Sequence, residues 1–317
     1  MKYIKFILYV LISFVFVGCG SNKPVDKYFF QMGTIIHITI EEKKEKDFYK
    51  VIIFMNELTE KINNDQIKIA ESNIGEEVAV SKEFLELYDY ADHYYNISNG
   101  LYDPTSITVA RLYGFPDKVL SMPSFSELKV AKANAGFKKL EVKNGKVKKL
   151  ANTYIDFSAN SKGYIIDKTV KYMKKEGFEN FIVNAGGDLY ANGLKYGKSQ
   201  YKVSIEDPDR EHGIADIIKL TNKAVATSGN YERFFITPDN KRITHIFSGV
   251  NFEPNNNYKS VSVIADTAQQ ADGYATLYFI SDIGTIMKYC EKYTTPVFII
   301  TLDNAKIKLC GWEKYEE

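Results

Sequence analysis

The stretch that decides the fold reads Tyr154-Ile-Asp-Phe-Ser-Ala-Asn-Ser-Lys-Gly-Tyr-Ile-Ile-Asp167, and a second apolar run follows it at residues 181–184. Residues 154–157 predict a short strand, and the small polar residues after them predict a turn. The helical spacing of apolar residues then predicts an amphipathic helix over residues 164–175, which Gly177 ends. Strands and helices mix along the chain without a strict βαβ rhythm, which favours an α+β fold.

The elements predicted elsewhere have the same mixed character: helices over 47–62 and 81–95, and strands over 29–40, 201–205, 224–227, 259–265 and 297–302. After residue 28 the sequence contains no linker rich in Pro, Gly or Ser, no repeat and no low-complexity block. We therefore expect residues 28–317 to form a single compact domain of mixed sheets with packed helices. Two interlocked lobes within that domain are an open alternative.

The composition excludes several classes of protein. The 41 basic and 40 acidic residues give a net charge of +1, which removes the usual electrostatic reason to expect a nucleic-acid partner. A chain that is 45% hydrophobic with so little net charge is not intrinsically disordered. Cys19, Cys290 and Cys310 are too few for a disulfide scaffold and too scattered for a zinc site. Whether Cys290 and Cys310 pair is left open.

The N-terminal residues are typical of a targeting segment. Two lysines within the first five residues precede an apolar run over 6–17, which is shorter than the ~20 residues of a membrane-spanning helix. The run ends in Phe16-Val-Gly-Cys19, which resembles a bacterial lipobox, although leucine is the usual residue at the position of Phe16. We expect residues 1–18 to be a signal peptide, cleavage before Cys19, and residues 19–27 to be a lipidated tether. An ordinary signal peptide with an incidental cysteine is the alternative.

Two neighbouring segments are candidates for binding an anion. Asp156 and Lys162 flank the small residues at the predicted entrance to the helix, where backbone amides attract phosphate and a lysine adds positive charge. Lys162 could equally be a solvated surface residue. The paired Gly186 and Gly187 that follow the second strand would let the backbone approach a ligand closely, or would simply form a turn.

Four further patterns have both a functional and a structural interpretation. Residues 227–230 supply hydroxyls and a glycine, as anion-binding loops and plain turns both do. His245 lies in an apolar strand, where a histidine is more often structural than a base. Asp272 and Thr276 would share one helix face and could hold a hard cation, unless Asp272 is a helix cap. An aromatic ring in the loop over residues 100–105 could stack on a planar ligand or cover the core.

Taken together and in order, these segments resemble the ApbE family of FAD:protein FMN transferases. The resemblance covers nearly all of the chain after the tether. The motifs occur in the family's order, and this ordered set is far more specific than any single motif would be. The motifs are Met32-Gly-Thr, Gly100-Leu-Tyr-Asp-Pro-Thr105, Ile155–Asp167, Val183–Gly193, Ala224–Arg233, Thr244-His-Ile-Phe247 and Ala271-Asp-Gly-Tyr-Ala-Thr276.

The resemblance implies a Mg²⁺-dependent transfer of FMN from FAD to a threonine or serine hydroxyl of an acceptor protein, with release of AMP. It also implies which residues contact FAD: Met32 at the flavin nucleotide, Leu101, Tyr102 and Asp103 at the adenine end, Asp156 and Lys162 near the pyrophosphate, and the backbone near Phe247.

The same resemblance implies the metal site and the base. The Ala159 carbonyl, the Asp272 carboxylate and the Thr276 hydroxyl would ligate Mg²⁺, and His245 would accept the proton of the incoming hydroxyl. Family members are largely periplasmic or surface-anchored, which agrees with Cys19. Their acceptors are subunits of membrane redox complexes and flavin-bearing reductases.

Two departures from the family pattern keep alternatives open. The residues after His245 lack the usual Asp-Pro-x-Thr-Gly, so the contacts of that loop are in question. No tyrosine occupies the aromatic position near the first long helix, where Asn63 aligns instead. The alternatives are therefore a Mg²⁺-dependent FAD pyrophosphatase, which uses water in place of the acceptor hydroxyl, and a flavin-binding lipoprotein without turnover.

Overall fold

The computed structural model describes residues 24–40, 45–116 and 118–317. The predicted signal peptide and Cys19 lie outside the described residues. Strand β1 begins at Val25, so the last three residues of the predicted tether belong to the folded domain. Within the described residues, no helix has both the length and the apolar character needed to cross a membrane.

The helices in chain order are α1 Glu45–Glu71, α2 Lys82–Ile97, α3 Ile107–Ala110, α4 Phe125–Asn134, α5 Ser161–Lys175, α6 Ala268–Phe279 and α7 Ile283–Tyr293. The strands are β1 Val25–Gln31, β2 Thr34–Ile40, β3 Glu77–Ala79, β4 Leu140–Lys143, β5 Lys146–Lys149, β6 Phe181–Ala185, β7 Asp188–Asn192, β8 Tyr201–Glu206, β9 Ile214–Leu220, β10 Lys223–Gly229, β11 Phe234–Ile236, β12 Arg242–Thr244, β13 Phe247–Ser248, β14 Glu253–Pro254, β15 Tyr258–Ala265, β16 Val297–Thr301 and β17 Lys306–Leu309.

One large antiparallel sheet organises the domain. Its strand order is β1-β2-β6-β7-β10-β15-β16-β17, with every neighbouring pair antiparallel. Alternate residues face opposite sides: Ala224 and Ala226 of β10 pack against the helices, whereas Val225 packs against the β8–β9 hairpin. The α+β expectation is confirmed. The chain forms a single compact domain in which both faces of the sheet are covered.

A third apolar cluster closes one end of the domain. It joins Val109 of α3, Ala131 of α4, and Phe247 of β13 to aromatic residues of the connecting loop, including Phe115. Three residues of this cluster, Ile107, Ala110 and Phe247, also line the cavity described below.

Two predicted boundaries are wrong in the decisive stretch. Residues 154–157 form no strand, because their amides bond outside any sheet: the Asp156 N–H donates to the Pro104 carbonyl and the Phe157 N–H to Oε1 of Gln66. The helix begins at Ser161, three residues earlier than its apolar spacing indicates, because polar residues fill its first turn.

The other boundary errors have simple causes. The single strand expected over 29–40 is a hairpin of β1 and β2, turned at Met32 and Gly33, both of which have positive φ. The first helix continues to Glu71, beyond the predicted 62, because its later turns still bury Asp65 and Ile69. The second helix begins after Ser81, whose hydroxyl accepts the Phe84 N–H as the N-cap.

The contact between α5 and α6 positions the site. A Cβ on Gly163 would lie 2.3 Å from the Ala268 carbonyl oxygen, so only glycine allows this close approach of the two helices. The Asp167 carboxylate of α5 accepts the N–H groups of Ala268 and Gln269 at 2.8 and 2.9 Å. One helix therefore caps the N-terminus of the other, which fixes their relative position.

Candidate active site

A cavity of about 890 Å³ lies between the first turns of α5, one face of α6, the ends of β2 and β10, and the segment 231–247. Ten of the eleven residues predicted to form the site line it: Met32, Tyr102, Asp103, Asp156, Ala159, Lys162, His245, Phe247, Asp272 and Thr276. Leu101 is absent from the wall. Its side chain packs against the main core, and its carbonyl accepts the Gly249 N–H at 2.8 Å.

Oxygen atoms from three segments meet where α5 approaches α6. The Asp272 carboxylate accepts the Gly163 N–H at 2.9 Å, and the Thr276 hydroxyl lies 3.4 Å from the Ala159 carbonyl oxygen. The Ser228 hydroxyl lies 3.1 Å from that of Thr276 and adds a further oxygen to the set. Asp272 is not the cap of α6, since Thr267 occupies that position.

Burial perturbs the Asp272 carboxyl strongly. Its residue is only 4% exposed, and burial followed by repulsion from Asp188 raises its pKa to about 7, although Lys162 acts in the opposite direction. A buried carboxylate of this kind is stabilised by a nearby cation. The raised pKa of Asp272 is therefore consistent with a ligand site.

Lys162 is held by an ion pair with Asp188, the acid that follows the paired glycines. The Nζ atom lies 2.7 Å from Oδ2 of Asp188, whose side chain is 2% exposed, while that of Lys162 is 25% exposed. Burial by itself would lower the pKa of the ammonium, but attraction from Asp188, Asp272 and Glu232 outweighs it and raises the pKa. Lys162 is therefore charged, and its position is fixed at the cavity wall.

His245 is neutral near pH 7. Burial, opposed by its hydrogen bond to the Arg233 carbonyl, lowers the pKa of the imidazole to about 4. Its Nδ1 lies 3.1 Å from that carbonyl oxygen. Because a carbonyl oxygen can only accept, Nδ1 carries the proton and Nε2 keeps a lone pair. This arrangement leaves the ring able to accept a proton at a defined atom.

Asp103 and Tyr102 differ in whether their polar atoms already have hydrogen-bond partners within the protein. Both oxygens of Asp103 are engaged: Oδ1 accepts from the backbone and hydroxyl of Thr105, and Oδ2 from the Phe137 N–H. Burial raises the pKa of this carboxyl, and its function is to hold its own loop. The Tyr102 hydroxyl is buried and has no hydrogen-bond partner among the described residues, so it can bond to a ligand.

The remaining predicted contacts, Met32, Phe247 and Asp156, line the same cavity. Met32 is at the tip of the β1–β2 hairpin, and Phe247 packs on Tyr113 with ring centroids 5.3 Å apart. Oδ1 of Asp156 accepts the Ser158 N–H at 2.6 Å, which shapes the loop before α5. This loop also presents the Ala159 carbonyl.

Three residues of the site are not predicted from the sequence as functional. Glu232 and Arg233 line the cavity but belong only to the motif over 224–233, and Asp188, the partner of Lys162, belongs only to the motif over 183–193. The burial of Asp188 opposite Lys162 depends on β7 pairing with β10, and no local signal in the sequence reports that pairing. Ser228 lies within the predicted anion loop over 227–230, which is the one local signal that pointed to it.

The charge of the cavity determines which ligand it can hold. Among the described residues that line it, five are acidic (Asp103, Asp156, Glu206, Glu232 and Asp272) and two are permanently basic (Lys162 and Arg233). Such a wall repels a pyrophosphate unless a cation accompanies it. The donor set of Asp272, Thr276, Ala159 and Ser228 consists only of oxygen and includes one carboxylate, which fits Mg²⁺ because that ion retains waters and binds substrate phosphates.

The fold and the site together place the protein in the class of α+β proteins that have a polar cavity between a helix pair and an antiparallel sheet. The sequence model described as the ApbE family matches residues 32–299. The chain therefore belongs to the ApbE family.

Named relatives and solved structures agree with this assignment. The chain is 26% identical over 312 residues to the FAD:protein FMN transferase of Vibrio cholerae, covering 92% of each protein. It is 29% identical over 220 residues to that of Salmonella typhimurium, covering 67% of this chain and 63% of that relative. The crystal structure of the ApbE protein from Thermotoga maritima superposes with a TM-score of 0.86 at 26% identity, covering 93% of this chain and all of that one.

Proposed function

We propose that the protein transfers the FMN half of FAD to a threonine or serine hydroxyl of an acceptor protein and releases AMP, with Mg²⁺ bound at the site. The names of the relatives support flavin transfer from FAD to protein. The observation that carries the proposal is the contact of the Thr276 hydroxyl with the Ala159 carbonyl at 3.4 Å, with Asp272 one turn earlier on the same helix and lining the same cavity, although Ala159 lies more than a hundred residues away in the chain.

The metal-binding residues and Lys162 have different roles in this proposal. Asp272, Thr276 and the Ala159 carbonyl would hold Mg²⁺, which supplies positive charge at the pyrophosphate when bound. Lys162, fixed by Asp188, adds a second positive charge beside it. Together they offset the acidic lining of the cavity and favour the charge that develops as the leaving phosphate separates.

The transfer is a substitution at phosphorus. The acceptor hydroxyl oxygen attacks the phosphorus on the FMN side of the pyrophosphate, and the bond to the AMP phosphate breaks with its electron pair leaving on AMP. The hydroxyl proton goes to Nε2 of His245, because Nδ1 is already protonated and bonded to the Arg233 carbonyl. The low pKa of the ring keeps it in the accepting form at neutral pH.

One observation favours a second candidate. Asn63 of α1 lines the cavity and is exposed, and the family resemblance places it at an aromatic position. A polar side chain there can hold a water molecule where an aromatic ring would exclude it. Hydrolysis of FAD to FMN and AMP is therefore the competing activity.

We further propose that the protein is lipid-anchored through Cys19 on the outer side of a bacterial membrane. Cys290 and Cys310 form a disulfide, which favours an oxidising compartment over the cytosol. An anchor there would bring the cavity close to subunits of membrane redox complexes or flavin-bearing reductases, the acceptors that family membership suggests.

The test is to incubate the protein with FAD, Mg²⁺ and a candidate acceptor, then to measure acceptor-bound flavin fluorescence and AMP. Fluorescent acceptor with equal AMP supports transfer, AMP with free FMN supports hydrolysis, and neither product refutes both.

A matched variant tests the metal assignment. Asp272→Asn keeps an oxygen that can accept the Gly163 N–H but removes the charge, so we expect at least a hundredfold lower turnover and weaker Mg²⁺ activation. Asp266→Ala, which removes an exposed carboxylate outside the cavity, is the control. Wild-type turnover in Asp272→Asn would refute the assignment.

A further inference from the structure

A second concavity of about 530 Å³ adjoins the cavity, and we call it the acceptor groove. Its apolar wall consists of Phe30, Phe115, Leu120 and Phe234. Phe30 is 76% exposed and Leu120 is 37% exposed, although both are large apolar side chains. Phe115 is buried beneath them and Phe234 is half-buried. Two large apolar side chains that are left exposed beside a polar cavity indicate a binding surface.

The groove is continuous with the candidate active site. Gly33, Pro116, Glu232 and Arg233 line both the groove and the cavity. Strand β1 carries Phe30 and ends one residue later, directly before the turn that enters the cavity wall. A chain lying along the groove past Phe30 therefore leads into the cavity.

We infer that the acceptor groove binds the segment of the acceptor protein that flanks the modified threonine or serine. The inference rests on the proposed transferase function. A hydroxyl reaches the cavity only if its backbone lies at the mouth, and the groove is the apolar surface that shares the walls of that mouth. The segment would place an apolar side chain against Phe30 and Leu120, a few residues from the hydroxyl.

The charged residues of the groove indicate which charge the bound segment should carry. Lys118 and Arg233 are basic, and Glu232 is the one acidic residue among the described residues that line the groove. Glu232 also faces the cavity, where Lys162 interacts with it. The groove therefore suits an extended segment that carries an acidic residue beside the apolar one, in preference to a basic segment.

The test uses a library of nine-residue peptides with a central threonine and random flanks, incubated with FAD and Mg²⁺ and sorted for covalent flavin. For the wild-type protein we expect enrichment of an apolar residue at a fixed spacing from the threonine. In Phe30→Ala/Leu120→Ala the enrichment disappears and peptide labelling falls about tenfold, as for loss of a central contact. Phe125→Ala, an equally exposed phenylalanine outside the groove, retains both.

Several outcomes would overturn the inference. One is labelling by the wild-type protein without apolar preference, and another is an unchanged preference in the double variant. FAD affinity must stay within about twofold in that variant, since a larger loss would make the groove part of the nucleotide site. If no peptide is labelled, the groove proposal fails. Labelling of an intact acceptor protein in the same preparation would then show that the transferase function stands without it.

Discussion

Replacing Lys162 by methionine would leave the Asp188 carboxylate buried without its cation. Breaking a buried ion pair by removing one partner costs about 3–5 kcal/mol, whereas an exposed pair contributes less than about 1 kcal/mol. Asp188 is 2% exposed and Lys162 is 25% exposed, so water still reaches one partner. We therefore expect Lys162→Met to lower the free energy of unfolding by about 3 kcal/mol, near the lower end of the buried range.

Removing the other partner of the ion pair should lower the free energy of unfolding by less. In Asp188→Asn the ammonium of Lys162 keeps partial contact with solvent and the attraction of Asp272 and Glu232, so we expect a loss of about 1–2 kcal/mol. The double variant should then be about 2 kcal/mol more stable than the sum of the single effects predicts, because neither charge is left unpaired.

Chemical denaturation followed by the fluorescence of Trp312 measures these values. Trp312 is the single tryptophan of the chain and is fully buried against Phe298. The control is the same cycle on Lys146 and Glu77, an ion pair of similar length (2.8 Å) in which both side chains are half exposed. Its coupling should be much smaller. Additive effects at Lys162 and Asp188 would refute the claim that their attraction fixes the lysine.

Three further predictions follow from other features. Gly163→Ala should destabilise the fold by about 1–3 kcal/mol and reduce turnover, because the added methyl group meets a backbone carbonyl. Gly284 is a helical glycine with more room, so Gly284→Ala should change little in the same denaturation and turnover assays. The His245 ring, followed by NMR, should titrate near pH 4, and titration near 6.5 would contradict the prediction. Because folding lowers the pKa of this ring, the free energy of unfolding should fall as the pH drops from about 6.5 towards 4. This pH dependence should be absent in His245→Gln. Removing the Cys290–Cys310 disulfide by serine substitution should cost about 3 kcal/mol and lower the melting temperature in a thermal scan, with an unchanged melting temperature as the contrary result.

The sequence allowed the fold class and most of the cavity to be predicted. The order of the motifs identified ten residues that line one cavity. The short apolar runs also located β6 and β10 closely, because strands in a sheet that is covered on both faces carry few polar residues.

The rest depended on contacts between distant segments. The ion pair of Lys162 with Asp188 joins α5 to a strand, and neither residue has a neighbour in sequence that predicts it. Residues 154–157 have the composition of a strand, but no other strand lies beside them, so tertiary context overrides propensity. Leu101 was placed at the site by its motif, whereas the side chain packs into the core.

The hydrogen bond between Gly163 and Asp272 has a consequence for the synthesis of the protein. The two residues are 109 positions apart, and the chain between them supplies four strands of the central sheet, namely β6, β7, β10 and β15. Loop closure over that distance must precede assembly of the wall, so a nascent chain that has not yet emerged past α6 has no complete site. If the proposed signal peptide directs export of the unfolded chain, the protein would therefore consume no FAD before it reaches its destination.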